Sequence, residues 1–155
     1  MTPRATSFRD GMVGYEIRKR RLLDAIARAG SGVRPGLSKA TSNLFRDRAR
    51  ANVPRIDLAH FNEVLRVDPA AGTVCAEGMT TFEALADATL AQGTMPCVVP
   101  QLKSITLGGA LVGVGIEATS FRHGLVHHMV TEVDVLTADG RILTCTPDNE
   151  HRDLF

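Results

Sequence analysis

The sequence has no tryptophan and a single tyrosine, Tyr15. Aromatic platforms on which nucleic-acid bases stack are therefore scarce. Charge of one sign is also missing. Eighteen Lys and Arg against 17 Asp and Glu leave +1 at pH 7, which gives no global pull towards nucleic acid or anionic lipid. No apolar run approaches the ~18 residues of a membrane span, and the N-terminus has no signal-peptide apolar stretch. These absences point to a cytoplasmic chain without a membrane span. Cysteine is sparse. Cys75, Cys97 and Cys145 are odd in number, widely spaced and without a CxxC pair, which argues against a zinc site or a disulfide framework. They read as buried free thiols in a reducing compartment. No metal is expected, and no internal repeat is visible.

Glycine is what the chain concentrates. Five of its 14 glycines, Gly108, Gly109, Gly113, Gly115 and Gly124, fall within residues 100–124, beside the hydroxyls of Ser104, Thr106, Thr119 and Ser120. Two readings stand. In one, Thr106 caps a short helix whose bare amides and small residues receive a diphosphate-bearing cofactor. In the other, the glycines only let a neighbouring element pack closely. Gly113 to Ala118 also fits G-x-G-x-x-G/A, with Asp134 about the right distance on for a ribose carboxylate, so a nicotinamide-binding α/β module is an alternative. That fingerprint needs a strand before it and a helix after it. Here a glycine pair precedes it, and Gly124 interrupts the helix it would need over 119–130.

At 155 residues, 44% hydrophobic and 23% charged, the chain suits one globular domain. Residues 1–11 are predicted to be loose. A helix is predicted from Tyr15 to Ala29, stopped by Gly30, with Arg18 to Arg21 as a solvated face or a contact for an anionic partner. The small, polar stretch from Gly36 to Arg46 reads as a surface loop, or as one where amides, hydroxyls and Lys39 or Arg46 hold phosphate oxygens. Arg46 to Arg50 reads as another solvated face. Strands are predicted at Arg55 to Leu58, Glu63 to Asp68 and Thr73 to Glu77, the last two forming a hairpin. Thr80 and Glu83 form a T-x-x-E capping box for a helix that Gly93 ends. Gly78-Met79-Thr80, between strand and helix, is a further place where amides can face a ligand. Asp139-Gly140 turns a second hairpin between strands at Met129 to Thr137 and Ile142 to Thr146, and Asp148 or Asn149 caps a last short helix. No acid/base dyad is readable. His123, with His127 and His128 nearby, is the one candidate proton donor, against a plain reading as polar residues entering a strand. Glu117 is either a cofactor contact or a surface charge.

Several of these stretches together resemble a known family: Thr41-Ser42-Asn43-Leu44-Phe45-Arg46, Gly78-Met79-Thr80-Thr81, the run from Val99 to Gly109, Gly113 to Gly115, Ser120 to Gly124, and the turn at Ala138-Asp139-Gly140. The chain from about Lys39 to Phe155 is similar to the PCMH-type FAD-binding domain of the vanillyl-alcohol oxidase and p-cresol methylhydroxylase family, and within it to the Delta(24)-sterol-reductase-like FAD oxidoreductases. The resemblance implies an α+β fold of two small α/β subdomains with mixed and antiparallel sheets. An N-terminal segment and helix would occupy residues 1–30 and the flavin domain residues 31–155. FAD is the implied cofactor. Lys39, Ala40, Thr41, Ser42 and Asn43 would form the diphosphate loop, and Gly78, Met79 and Thr80 would face the cofactor. Thr106, Leu107, Gly108 and Gly109 would lie against its diphosphate and ribityl part, and Gly113 and Gly115 beside the flavin. Ser120 and Gly124 would form the turn near the isoalloxazine, and Val130 and Val133 the adenine-side strand. The early loop lacks the His or Cys of covalently flavinylated members, which implies non-covalent FAD. Family members continue past the position of Phe155. The resemblance therefore implies the front part of a flavin domain, without a substrate cap. Exposed sheet edges and apolar faces would then favour marginal stability, and self-association or a complementing chain. The implied activity is oxidation or reduction of a hydrophobic, sterol-like alkene, with peripheral membrane association if the substrate is a sterol. The alternative is a non-catalytic remnant or half of a split flavoenzyme.

Overall fold

The computed structural model describes residues 8–29, 36–38 and 53–155. Helix α1 runs over Phe8–Ala29, so it begins before Gly11 and not beyond it, as the polar start had suggested. Its alanines, leucines and arginines are strong helix formers. Its glycines are tolerated because packing supplies most of a helix's stability. Gly11 is buried, and a Cβ there would lie 3.5 Å from the Leu65 carbonyl oxygen. Leu22 is buried on the same helix.

Among the described residues, three two-stranded sheets follow. β1 (Gly36–Ser38) and β2 (Arg55–Asp57) pair in parallel, Leu37 opposite Ile56. The sequence carries no periodic signal for a three-residue strand such as β1, which takes the start of the expected Gly36 to Arg46 loop. β3 (Val64–Asp68) and β4 (Thr73–Ala76) form the expected antiparallel hairpin, with an irregularity between Val64 and Arg66. The Asp68 carboxylate accepts the Ala71 amide across its turn (3.1 Å). β5 (Val133–Leu136) and β6 (Ile142–Cys145) form the second hairpin, turning at Asp139-Gly140 as the dipeptide predicts.

Between the hairpins lie the helices α2 (Phe82–Leu90), α3 (Leu107–Val112) and α4 (Ser120–His123), then a 3-10 turn over Val126–Met129. The cap of α2 is Thr81, not Thr80: its Oγ1 accepts the Ala84 amide (3.2 Å). Thr80 is fully buried, and its hydroxyl donates to the Glu63 carbonyl (3.0 Å), so it is not available to cap. Glu83 pairs instead with Lys103 (2.8 Å). Phe82, Leu85, Val98, Ala110 and Val126 form the core, ringed by Val64, Ala76, Val99, Ile105 and Leu107. Burying a Phe or Leu side chain contributes ~1.5–3 kcal/mol, so α2, α3 and the Val98 segment are fastened chiefly by this cluster.

All three cysteines are free, but only Cys145 is buried; Cys75 and Cys97 are exposed. Thr73, Val74 and Cys75 are all exposed on β4. Asn149 orders the end of the chain: its side-chain oxygen accepts the amides of Thr146 and His151, ahead of a 3-10 turn over Arg152–Leu154. Among the described residues no helix is long and apolar enough to cross a membrane.

Candidate functional site

The Gly78–Thr80 loop and the start of α3 are brought together. The Leu107 amide donates to the Thr80 carbonyl and the Gly108 amide to the Gly78 carbonyl, both at 2.8 Å. Thr81 and Thr106 form an antiparallel bridge. Thr106 caps α3 as expected, its Oγ1 accepting the Gly109 amide (3.2 Å). The first amides of α3 are thus already partnered, so the bare-amide expectation is corrected. At Gly108 the close-packing alternative holds: a Cβ there would come within 2.9 Å of the Gly78 carbonyl oxygen. Gly78 is different. A Cβ there would meet nothing within 4 Å, and its φ lies outside the left-handed range. Among the described glycines it alone has neither a close neighbour nor a left-handed backbone to account for it.

The second cluster is Gly113 to Gly124. Val114 has φ +56°, a strained value for a β-branched residue and of the kind that gathers at functional sites. Gly115 packs on Ala110 and Val126, and a Cβ there would reach 2.8 Å from the Val126 side chain. The loop is stitched to the segment before it. Glu117 accepts the Gln101 amide (2.9 Å), and Thr119 donates to the Cys97 carbonyl (2.8 Å). Ser120 accepts the Glu117 amide (3.0 Å) and, through its carbonyl, the Gly124 amide (2.8 Å). Glu117 is therefore a loop fastener and not a plain surface charge. Val112, Val114, Ile116 and Phe121 stand exposed along this segment, Phe121 at 89%. His123 is exposed. His127 and His128 meet edge to face at 4.2 Å, and His128 Nδ1 accepts the Leu125 amide (3.0 Å).

Two expectations are corrected. Val130 follows the 3-10 turn and precedes the strand, which begins at Val133. The nicotinamide reading of Gly113 to Ala118 also fails. Helix α3 and not a strand precedes it, and only the four-residue α4 follows. Asp134 is already engaged by the Tyr15 hydroxyl (2.7 Å), the Thr144 hydroxyl (2.7 Å) and Lys19 (3.6 Å). Burial alone would raise the Asp134 pKa, but these partners outweigh it and hold the carboxyl below its ordinary range. The same burial and hydrogen bond push the Tyr15 phenol well up. Lys39, Ala40, Thr41, Ser42 and Asn43, with the charged run to Arg50, lie outside the described residues.

Behind the Gly78 loop lies a network that sequence reasoning missed. Glu77 is buried; its Oε1 accepts from Arg18 Nε (2.8 Å) and its Oε2 from the Glu63 amide (2.9 Å). A second Arg18 nitrogen reaches Glu63 Oε2 at 3.0 Å. Burial raises the Glu77 pKa, against the opposing pull of the Glu63 amide and Arg18. The Arg18 to Arg21 cluster is therefore not simply a solvated face: Arg18 and Lys19 are committed to carboxylates. The available signal was spacing. Tyr15, Arg18 and Lys19 stand at i, i+3 and i+4, which places them on one helix face.

Comparison with known proteins agrees with this architecture. Residues 37–146 match a family described as FAD binding domain. The chain is 31% identical over 109 residues to Delta(24)-sterol reductase of Pisum sativum, covering 70% of this chain and 19% of that protein. It is 37% identical over 99 residues to the human protein of the same name, covering 63% of this chain and 19% of that one. The chain thus spans about a fifth of the length of the curated relatives it matches. Among solved structures, 6-hydroxy-D-nicotine oxidase from Arthrobacter nicotinovorans superposes with a TM-score of 0.68 at 16% identity, covering 86% of this chain and 29% of that one. This likeness shows a shared PCMH-type fold.

Proposed function

Because the chain belongs to the family of FAD binding domains, with FAD as its cofactor, we propose that it binds FAD without a covalent bond. In this reading it is the flavin-holding part of an oxidoreductase acting on a hydrophobic, sterol-like alkene. The observation that carries the reading is Gly78: its α-carbon faces open space that a side chain would fill, beside a loop anchored on both flanks. A flat group can lie against such backbone. Met79, Thr80 and Thr106 to Gly109 would support that surface. Gly113, Gly115, Ser120 and Gly124 would line its continuation, and Lys39 to Asn43 would meet the diphosphate, with Val130 and Val133 on the adenine side. Bound flavin supplies hydride transfer. The chain's own residues hold and orient it, and His123 is the candidate proton donor. The names of the sterol reductase relatives support the substrate class. A reducing, cytoplasmic compartment belongs to the same reading, supported by three free cysteines.

A second reading is favoured by the exposed row Val112, Val114, Ile116 and Phe121. Exposed apolar side chains concentrated on one segment suit an interaction site, which a second copy or a complementing chain would cover. The test of attachment is direct. The FAD-loaded chain is denatured and filtered, and yellow filtrate with colourless protein is expected. Flavin retained on the denatured polypeptide would refute non-covalent binding.

A further inference from the structure

Helix α1 lies outside residues 37–146, the part that matches the family. It nevertheless reaches the loop assigned above to the cofactor. Gly78 is the residue after Glu77. The Thr80 amide closes that turn onto the Glu77 carbonyl (3.0 Å), and the Met79 amide ties it to the Phe61 carbonyl (2.7 Å). The Glu77 side chain has no exposure, and both its oxygens are engaged, one of them by Arg18. On the same face of α1, Tyr15 and Lys19 hold Asp134 of the second hairpin. The helix thus spans from one hairpin to the other, with Arg18 the cation paired to Glu77.

We propose that Arg18 is a positioning residue for FAD: by holding the buried Glu77 carboxylate, it fixes where the Gly78 backbone meets the cofactor. The physical reason is that a carboxylate cannot stay buried without its partner. When Arg18 is withdrawn, Glu77 must turn towards water or take up a proton, and either change moves the loop. Lysine carries the charge but not the two-pronged fork that spans Glu77 and Glu63. The inference rests on the FAD reading above.

The experiment compares wild type with Arg18→Met, Arg18→Lys and the control Tyr15→Phe, which cuts a tie of α1 that does not touch the Gly78 loop. Each is melted without FAD, then titrated with FAD by flavin fluorescence at a temperature where it is folded. The absorption band shape of the bound flavin is recorded as well. Arg18→Met is expected to weaken FAD binding about tenfold or more and to alter the bound-flavin band, with Arg18→Lys falling between it and wild type. Tyr15→Phe is expected to stay within about twofold of wild type, even where its melt is lowered as much. Wild-type affinity and an unchanged band in folded Arg18→Met would overturn the proposal. If Arg18→Met does not fold, Arg18→Lys, which keeps the charge without the fork, takes its place: wild-type affinity and an unchanged band in folded Arg18→Lys would overturn the proposal. Absence of FAD binding by the wild-type chain would defeat the cofactor reading and this inference with it. Equal binding by wild type and variants would defeat this inference alone.

Discussion

Two glycine-to-alanine changes at hydrogen-bonded neighbours should have opposite consequences. In Gly108→Ala the new Cβ would sit 2.9 Å from the Gly78 carbonyl oxygen, 3.4 Å from its α-carbon and 3.5 Å from its carbonyl carbon. All three are backbone atoms, so no side chain can rotate aside. The helix or the loop must move by a few tenths of an ångström, which lengthens the paired 2.8 Å hydrogen bonds from Leu107 and Gly108. Overpacking of this kind costs ~1–3 kcal/mol, and weakening a buried hydrogen bond adds ~0.5–1.5 kcal/mol. Alanine's better helix propensity returns ~1 kcal/mol. The net expectation is a loss of about 0.5–3.5 kcal/mol. Gly78→Ala meets no neighbour and requires no left-handed backbone. Its stability should be unchanged, or raised by ~0.4–1 kcal/mol through the unfolded chain, while FAD binding falls because the methyl occupies the open surface. Urea melts of the FAD-free proteins and fluorescence titration with FAD measure both quantities. A destabilised Gly78→Ala, or one that binds FAD as tightly as wild type, would refute the reasoning.

Other expectations follow from single contacts. Thr106→Ala removes the cap on the Gly109 amide and should cost ~1 kcal/mol; an unchanged urea midpoint would contradict the cap's role. Val114→Gly relieves a left-handed β-branched residue that is mostly exposed. Relief of ~1–2 kcal/mol, less glycine's entropy cost of ~0.5–1 kcal/mol, should leave the chain as stable or up to about 1.5 kcal/mol more so. A clear loss in the melt would show that the Val114 side chain packs. Asp134 has a lowered folded pKa. Its stabilising contribution is therefore present above the ordinary carboxylate value of ~3.9 and is lost as pH falls through the folded value. Asp134→Asn should flatten the acid side of the stability curve, and an identical acid limb would refute the assignment.

The sequence made the local elements most legible where a short-range rule dominates. Asp139-Gly140 set the second hairpin, Thr106 its helix, and the short strand-forming runs on either side of the Asp68 turn the first hairpin. The rest depended on tertiary contacts. Thr80 looks as good a cap as Thr81 until its hydroxyl is drawn into the buried bond with Glu63. Glycines at 108 and 78 look alike in the sequence, yet one is forced by a neighbour 30 residues away in the chain and the other is left open. Arg18 reads as one of four surface cations, because nothing local reveals a buried carboxylate 59 positions on. The cofactor class was legible only through the order of several modest motifs. The residues alone left a flavin and a nicotinamide both open until the surroundings of Asp134 and Gly113 were known.

The most direct measurement of the central claim is titration of the purified wild-type chain with FAD, followed by gel filtration with detection at the flavin band. Quenched flavin fluorescence and flavin co-eluting with the protein in a one-to-one ratio are expected if the Gly78 loop and the Gly113–Gly124 segment form a cofactor surface. A colourless protein peak with free FAD eluting separately, from a chain shown by its melt to be folded, would contradict it.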